Sequence, residues 1–217
     1  MIIKTELKNI NLYEETKKHI EFCKEKFYDV AYCATGSEDL TAISYVIRKF
    51  DVKSIFEFGT WKGALTLAMW LNPSVKKMRT IDVYDELVYQ IPPVSSHEFK
   101  SKDFYGKYFK ECVAPNKITQ ILMDSRKYEV GKDETYDMVY IDANHKYDYV
   151  KNDTEKALQM KPRIIMWHDW LSEPEVTRFL NEFSLVGNNV YVFEGYSLCA
   201  VWFRNEADKK AFLEEKE

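Results

Sequence analysis

The chain has 217 residues, of which 46% are hydrophobic and 30% charged, as in a soluble globular protein with one main domain. Its net charge of −4 at pH 7 gives no broad attraction to nucleic acid or anionic membranes, and it argues against both as partners. Four scattered cysteines, with no signal-like or membrane-spanning apolar run, predict a cytoplasmic protein.

The first 36 residues carry charges of both signs around Ile20, Phe22 and Phe27. This pattern predicts an amphipathic helix followed by a looser aromatic stretch. We interpret residues 1–36 as an N-terminal helical arm or lid, which leaves a homodimer open, and residues 37–217 as the main domain.

The main domain alternates segments of strand type and helix type. A helix is predicted from Ser37. The predicted strands are residues 52–58, 78–83, 118–123, 138–141 and 163–167. Two closely spaced runs, 189–194 and 196–203, predict an antiparallel hairpin at the end. This order predicts an α/β fold of the Rossmann-like, doubly wound kind, with seven strands in a mostly parallel sheet and helices on both faces.

The longest connection, residues 84–117, is rich in lysine and aromatic residues. It is interpreted either as a surface helix packed on its apolar face or as a wall of a substrate pocket.

A turn that follows the first predicted strand is the candidate cofactor loop, and its candidate binding residues are Glu57, Gly59, Thr60, Trp61 and Gly63. Gly59 permits a sharp turn close to a ligand, and Gly63 permits tight helix packing. The dinucleotide fingerprint has a glycine where this chain has Trp61, which argues against a diphosphate. Glu57 favours a positively charged ligand, and S-adenosylmethionine carries an ammonium and a sulfonium.

The next two strand ends carry polar groups suited to an adenosine. Asp82 is placed to accept hydrogen bonds from ribose hydroxyls, and Asp124 and Ser125 are placed to contact an adenine amine. Structural alternatives remain, since Glu57 could pair with Lys53 or Lys62, and either aspartate could cap a helix.

Two later strand ends deliver acidic and histidine side chains to the same predicted crevice. Asp142 and His145 follow one strand, and His168 and Asp169 follow the next. Together they could hold a divalent cation or work as acid and base. In the alternative interpretation, Asp142 caps the following helix and His168 is a hydrogen-bonded core histidine.

With these motifs in place, the chain resembles the class I S-adenosylmethionine-dependent methyltransferases. Within them it is similar to the metal-dependent O-methyltransferase branch that includes macrolide-sugar O-methyltransferases and cephalosporin hydroxylase-like proteins. The resemblance covers roughly residues 37–203 and depends on the segments 57–63, 80–82 and 136–147, on Asp153, and on the His168-Asp169 pair.

The resemblance implies the sheet order 3-2-1-4-5-7-6 with an antiparallel last strand, Asp142 and Asp169 as ligands of a divalent cation, and His145 as general base. His168 joins the candidate ligands. The family often has an acidic residue at this position. The histidine leaves the identity of the metal open, because Mg²⁺ prefers oxygen ligands whereas imidazole favours Mn, Fe or Zn.

The expected activity is methyl transfer to a hydroxyl of a small-molecule acceptor, such as a sugar diol or a catechol, with divalent-metal assistance. Two alternatives are an inactive or regulatory binding protein that retains the fold and a nicotinamide-dependent oxidoreductase.

Overall fold

The computed structural model describes residues 1–5, 21, 37–83, 102–113, 116–193 and 197–214. The strands are β1 (Ile2–Thr5), β2 (Ser54–Phe58), β3 (Lys77–Asp82), β4 (Ile118–Leu122), β5 (Met138–Ile141), β6 (Ile164–Trp167), β7 (Val190–Phe193) and β8 (Ala200–Phe203). The helices are α1 (Ser37–Lys49), α2 (Ala64–Trp70), α3 (Lys107–Cys112), α4 (Tyr147–Gln159), α5 (Pro174–Leu185) and α6 (Glu206–Leu213). No helix among these residues is long and apolar enough to span a bilayer.

The strands form one sheet in the order β1-β7-β8-β6-β5-β2-β3-β4. If the strands β2 to β8 are numbered 1 to 7 and the sheet is read from β4, this is the predicted order 3-2-1-4-5-7-6. The strand β8 runs antiparallel to both of its neighbours. The doubly wound α/β class is therefore confirmed. The predicted number of seven strands is wrong for the described residues, because β1 adds an eighth strand parallel to β7 at the edge.

The N-terminal segment differs from its prediction where it is described. Residues Ile2–Thr5 lie in the sheet, paired in register from Ile2 with Val190 to Thr5 with Phe193, and so are not part of a helical arm. The other residues of the predicted arm, apart from Glu21, lie outside the described residues. The arm or lid therefore stays a prediction.

The central strands are buried on both faces because helices cover the sheet on each side. Along β5, Met138 and Tyr140 pack with α1 and α2 residues on one face, whereas Val139 and Ile141 pack with α4 and α5 residues on the other. This explains why such strands appear in the sequence as continuous apolar runs. The firmly packed strands hold the loops at their carboxyl ends in place.

The helix α6 was not predicted from the sequence. Asn205 caps its start, accepting a hydrogen bond from the Asp208 amide at 2.7 Å. Phe212 packs its ring against Phe203 and Tyr191 at 4.9 and 5.6 Å between centroids. The helix thus covers apolar surface at the β7–β8 end of the sheet.

Candidate active site

The predicted site residues lie at one edge of the sheet, where the parallel strands β2 to β6 end. This edge is where open α/β sheets bind ligands, because the loops after neighbouring strands diverge there into a crevice. Glu57 lies near the end of β2 and Asp82 ends β3. Asp142 and His168 directly follow β5 and β6, and Asp124 lies two residues after the end of β4. The structure therefore brings the candidate residues to a common edge.

The loop after β2 is held by the carboxylate that ends β3. Oδ2 of Asp82 accepts hydrogen bonds from the amides of Thr60 and Trp61 at 2.8 and 2.7 Å, and Oδ1 accepts one from the Val83 amide at 2.7 Å. Burial raises the pKa of Asp82 to about 6, although the Trp61 amide opposes this shift. Asp82 thus orders the loop directly, a role that the sequence analysis did not anticipate.

Gly59 makes a close approach to the end of β5. Its φ is +98°, and a Cβ there would lie 1.9 Å from the Asp142 carbonyl oxygen. The close approach of this glycine is therefore to the neighbouring strand. At Gly63, where φ is +79°, a Cβ would lie 2.6 Å from the Phe109 ring, so this glycine permits close packing as predicted.

Trp61 lies at the outer end of the loop, 42% exposed and with φ +46°. Its ring makes edge contacts with Phe104 and Tyr105, at 4.9 and 6.2 Å between centroids. The Trp61 carbonyl accepts a hydrogen bond from the Gly106 amide at 2.7 Å. Tyr105 is buried, so the exposed Trp61 ring packs in part against a buried aromatic residue. Residues 84–101 of the predicted pocket wall lie outside the described residues.

Glu57 is fully buried beneath the loop. Its Oε2 accepts a hydrogen bond from the Thr66 hydroxyl at 2.6 Å, and burial raises its pKa to about 8. Its Oε1 and the hydroxyl of Tyr140, its register partner on β5, have no hydrogen-bond partner among the described residues. The alternative pairing of Glu57 with Lys53 is wrong, because Lys53 pairs with Asp51 at 2.5 Å.

Asp124 caps the short 3₁₀ turn Ser125–Lys127, as the structural alternative proposed. Its carboxylate also pairs with the Arg126 guanidinium at 2.7 Å. Burial raises the pKa of Asp124, but Arg126 outweighs this effect and lowers it below the ordinary range. Burial raises the pKa of the nearby Asp153 to about 6, although the Ser125 side chain opposes this shift. Contacts of Asp124 and Ser125 with an adenine stay a prediction.

The ends of β5 and β6 bring three candidate ligands together. Asp142, His168 and Asp169 each present one ligand atom within 4.8 Å of the others. His168 Nδ1 lies 3.3 Å from Asp169 Oδ2 and 3.6 Å from Asp142 Oδ1. Two carboxylate oxygens and one imidazole nitrogen that converge in this way fit a divalent cation of the Mn, Fe or Zn type. Binding of an ion there stays a prediction.

His145 lies beside this cluster and is 41% exposed in its side chain. Its Nε2 is 3.0 Å from Asp169 Oδ2 and 3.8 Å from Asp142 Oδ1, while its Nδ1 is 3.5 Å from Glu173 Oε1. The Asp142 and Asp169 carboxylates raise the pKa of His145 to about 10. The ring is therefore protonated at neutral pH unless another cation offsets these carboxylates.

The same ionic contacts affect the cluster itself. Burial opposes a charge on His168, but Asp142, Asp169 and Asp39 outweigh this and raise its pKa far above the usual range. For Asp169, burial raises the pKa, yet His145 and His168 outweigh it and lower the pKa well below the ordinary value. Without a metal, the positive charge among these carboxylates thus comes from imidazolium groups.

The alternative that Asp142 caps α4 is wrong, because the residue at the start of that helix is Lys146, and the first amide of the helix, that of Tyr147, donates to Glu175 Oε2 at 2.8 Å. The alternative for His168 is correct as far as hydrogen bonding goes, since its Nε2 lies 3.2 Å from Asp39 Oδ2 in a buried site. Asp39 belongs to the first turn of α1, and sequence reasoning missed it. The acidic first turn of that helix was visible, but nothing in the sequence linked it to His168.

Comparisons with known proteins agree with this fold. Residues 56–170 match the family described as a methyltransferase domain. No curated protein sequence matches the chain. The chain belongs to this methyltransferase family, since the match covers more than half of its length, and the alternative of a nicotinamide-dependent oxidoreductase is set aside.

Solved structures with similar folds share little sequence with the chain. A methyltransferase from Podospora anserina, bound to S-adenosylhomocysteine (SAH), has a TM-score of 0.57 at 14% identity, with 88% of each chain covered. An O-methyltransferase from Bacillus cereus in complex with SAH has a TM-score of 0.57 at 11% identity, covering 91% of this chain and 93% of that one. The O-methyltransferase TomG of tomaymycin synthesis in Streptomyces achromogenes, in complex with SAM, has a TM-score of 0.54 at 15% identity, covering 91% and 90%.

Proposed function

We propose that the protein is an S-adenosylmethionine-dependent methyltransferase that methylates a hydroxyl of a small-molecule acceptor with the help of a divalent cation. The observation that carries this proposal is the contact between Gly59 and the Asp142 backbone. It sets the candidate cofactor loop directly against the cluster of Asp142, His168 and Asp169. A methyl donor in the loop and an acceptor at the cluster would then be neighbours.

The residues of the loop fit S-adenosylmethionine in charge and position. The unpartnered Glu57 Oε1 and Tyr140 hydroxyl are buried polar atoms to which an ammonium could donate. Asp82 lies at the strand end that usually meets the ribose, and its two oxygens can accept further hydrogen bonds. Trp61 takes the place of the glycine that a diphosphate would need, which disfavours a dinucleotide. The complexes of the B. cereus and S. achromogenes enzymes support the same cofactor.

Methyl transfer requires the acceptor oxygen to be aligned with the methyl group, and it requires a nucleophilic oxygen. A cation bound by Asp142, His168 and Asp169 would supply positive charge that stabilises negative charge developing on the acceptor oxygen. His145 is placed to accept the hydroxyl proton at Nε2, and its Nδ1 lies 3.5 Å from Glu173 Oε1. This role requires positive charge at the cluster, since the carboxylates otherwise keep His145 protonated. An acceptor with two adjacent oxygens suits such a centre because it can chelate the ion.

The proposal is tested by calorimetric titration of the full chain with SAH and, separately, with NAD. The protein is first stripped of metal with EDTA, and each titration is repeated after addition of Mn²⁺. We expect binding of SAH and none of NAD. A panel of sugar diols and catechols is then assayed with S-adenosylmethionine, and product formation is expected with Mn²⁺ and not with EDTA.

Three outcomes separate the alternatives. Binding of NAD without SAH would overturn the cofactor assignment. Binding of SAH with turnover that EDTA leaves intact would refute the metal and require a proton acceptor other than His145, since the carboxylates keep that ring protonated without a cation. Binding of SAH with no turnover of any acceptor would favour a regulatory binding protein.

A further inference from the structure

Asp39 is a buried carboxylate that belongs to α1 and yet contacts the candidate metal cluster. It is 5% exposed. One oxygen, Oδ2, lies 3.2 Å from His168 Nε2, and the other, Oδ1, accepts hydrogen bonds from the Ser197 hydroxyl at 2.6 Å and the Leu198 amide at 2.7 Å. Both oxygens are therefore engaged, and the carboxylate is fixed between α1, the end of β6 and the segment before β8.

This contact determines which nitrogen of His168 is presented to the cluster. An imidazole that donates Nε2–H to Asp39 keeps the lone pair of Nδ1 free, and Nδ1 is the atom that faces Asp142 Oδ1 and Asp169 Oδ2. The ring is only 5% exposed, so the surrounding packing also hinders its rotation. A carboxylate behind a ligating histidine is a recurrent arrangement that orients the ring and makes it a better donor.

We infer that Asp39 is a positioning residue that holds His168 with Nδ1 directed at the proposed metal, and that it makes the centre favour Mn²⁺, Fe²⁺ or Zn²⁺ over Mg²⁺. The inference depends on the metal centre of the proposed function. Its physical basis is that an oriented, electron-rich imidazole adds a nitrogen ligand, which Mg²⁺ binds poorly and the transition metals bind well. Without Asp39, His168 would lose the partner that sets its tautomer.

A purely structural role is the rival explanation. In it, His168 is a permanent imidazolium that neutralises Asp39, Asp142 and Asp169, and no metal binds. Loss of Asp39 would then lower the stability of the fold without changing any metal affinity. Metal affinity, and not activity, therefore distinguishes a positioning role of Asp39 from a purely structural one.

The test compares Asp39→Asn and Asp39→Ala with wild type in the full chain, stripped of metal with EDTA and dialysed. Titration with Mn²⁺ and with Mg²⁺ is followed by calorimetry, and the visible spectrum of added Co²⁺ reports on ligand type. We expect Mn²⁺ affinity to fall by about 10- to 100-fold, the usual effect of losing a partner behind a metal ligand, and the preference for Mn²⁺ over Mg²⁺ to shrink. The Co²⁺ spectrum should change as well.

Asp153→Asn is the matched control, because Asp153 is also a buried aspartate at 1% exposure, but its Oδ1 accepts a hydrogen bond from the Asn152 side chain and it does not belong to the candidate metal cluster. It should leave Mn²⁺ affinity unchanged. Ser197→Ala is a milder variant in case the Asp39 variants do not fold. It removes one hydrogen bond to Asp39 and, like the Asp39 variants, should lower the affinity for Mn²⁺.

Unchanged Mn²⁺ affinity in folded Asp39 variants, or in Ser197→Ala where those do not fold, would overturn the inference and leave Asp39 as a structural ion-pair partner. No Mn²⁺ binding by wild type would overturn it together with the metal centre. Titration with SAH distinguishes these results from a failure of the cofactor assignment, since Asp39 lies outside the candidate cofactor loop and its variants should retain SAH affinity.

Discussion

Gly59 and Asp142 are in backbone contact, and this contact joins the candidate cofactor loop to the candidate metal cluster. A Cβ on Gly59 would lie 1.9 Å from the Asp142 carbonyl oxygen, and the Asp142 amide donates to the Phe58 carbonyl at 2.8 Å. The two backbone segments therefore leave no room for a side chain between them. Any side chain at position 59 has to move the strand end that carries Asp142.

We expect Gly59→Ala to lower the stability of the fold and to weaken SAH and Mn²⁺ binding together. The substitution combines the cost of a left-handed backbone, about 1–2 kcal/mol, with a backbone clash that cannot be relieved by a rotamer change. Urea denaturation and calorimetric titration measure the two effects.

Gly187→Ala is the control for this prediction. Gly187 has φ +93°, close to that of Gly59, but a Cβ there would meet nothing within 4 Å among the described residues. Gly187→Ala should lower the free energy of unfolding only by the conformational cost of the left-handed backbone, and it should keep its affinities for SAH and Mn²⁺. Equal stabilities of the two variants would contradict the proposed role of the contact.

We also expect Asp82→Ala to weaken SAH binding by more than tenfold. The carboxylate accepts from the amides of Thr60, Trp61 and Val83, so its removal leaves three donors without their acceptor and loosens the loop as well as removing a candidate ribose contact. Calorimetry gives the affinity. Hydrogen exchange at Thr60 and Trp61 in the ligand-free protein should rise, and unchanged exchange would argue against the role of Asp82 in ordering the loop.

The sequence predicted most of the sheet because its signal is local. The strand β5 has the predicted bounds, Met138–Ile141, since four consecutive apolar residues follow a polar turn. The short strand β1 contains Lys4 and ends at Thr5, and its pairing with β7 depends on residues almost the whole chain apart. No local pattern marks such a strand.

The candidate site was predicted in the same uneven way. Asp142, His168 and Asp169 follow strand ends, and the topology of a parallel sheet makes them neighbours. Asp39 is 129 residues from His168, and only the packing of α1 against the sheet brings them together. The arrangement of Arg126 on Asp124 likewise depends on side-chain geometry that spacing does not specify.

The buried Glu57 gives a prediction about stability and pH. Its folded-state pKa is about 8 and its ordinary value is 4.5, so the folded state retains a proton that the unfolded chain loses between these values. The free energy of unfolding therefore falls as pH rises through this window, with a slope of up to about 1.4 kcal/mol per pH unit from this group. Glu57→Gln cannot ionise, so in ligand-free protein it should gain stability relative to wild type from pH 5 to pH 8.

Glu134→Gln provides the opposite case. Burial raises the pKa of Glu134, but Tyr128, the Gly131 amide and Tyr136 outweigh this and lower it. Its carboxylate thus stabilises the fold above its unfolded pKa and loses that effect as pH falls through the folded one. Urea denaturation at several pH values should show Glu134→Gln less stable at pH 8 and the difference shrinking in acid. If the free energy of unfolding varies with pH in the same way in wild type and Glu57→Gln, Glu57 does not retain a proton in the folded state between pH 5 and pH 8.

The last prediction concerns His145, which lies beside the proposed cation and contacts Asp169, Asp142 and Glu173 through its two nitrogens. His145→Ala should retain affinity for Mn²⁺ and SAH and should lower kcat by about 10²- to 10⁴-fold, the range for loss of a general base. Lys146→Ala is the neighbouring control, since Lys146 points to Glu175 at 3.5 Å and its loss should leave kcat unchanged. A His145→Ala variant with wild-type kcat would remove His145 from the chemistry, and one that loses Mn²⁺ affinity would make it a ligand instead of a base.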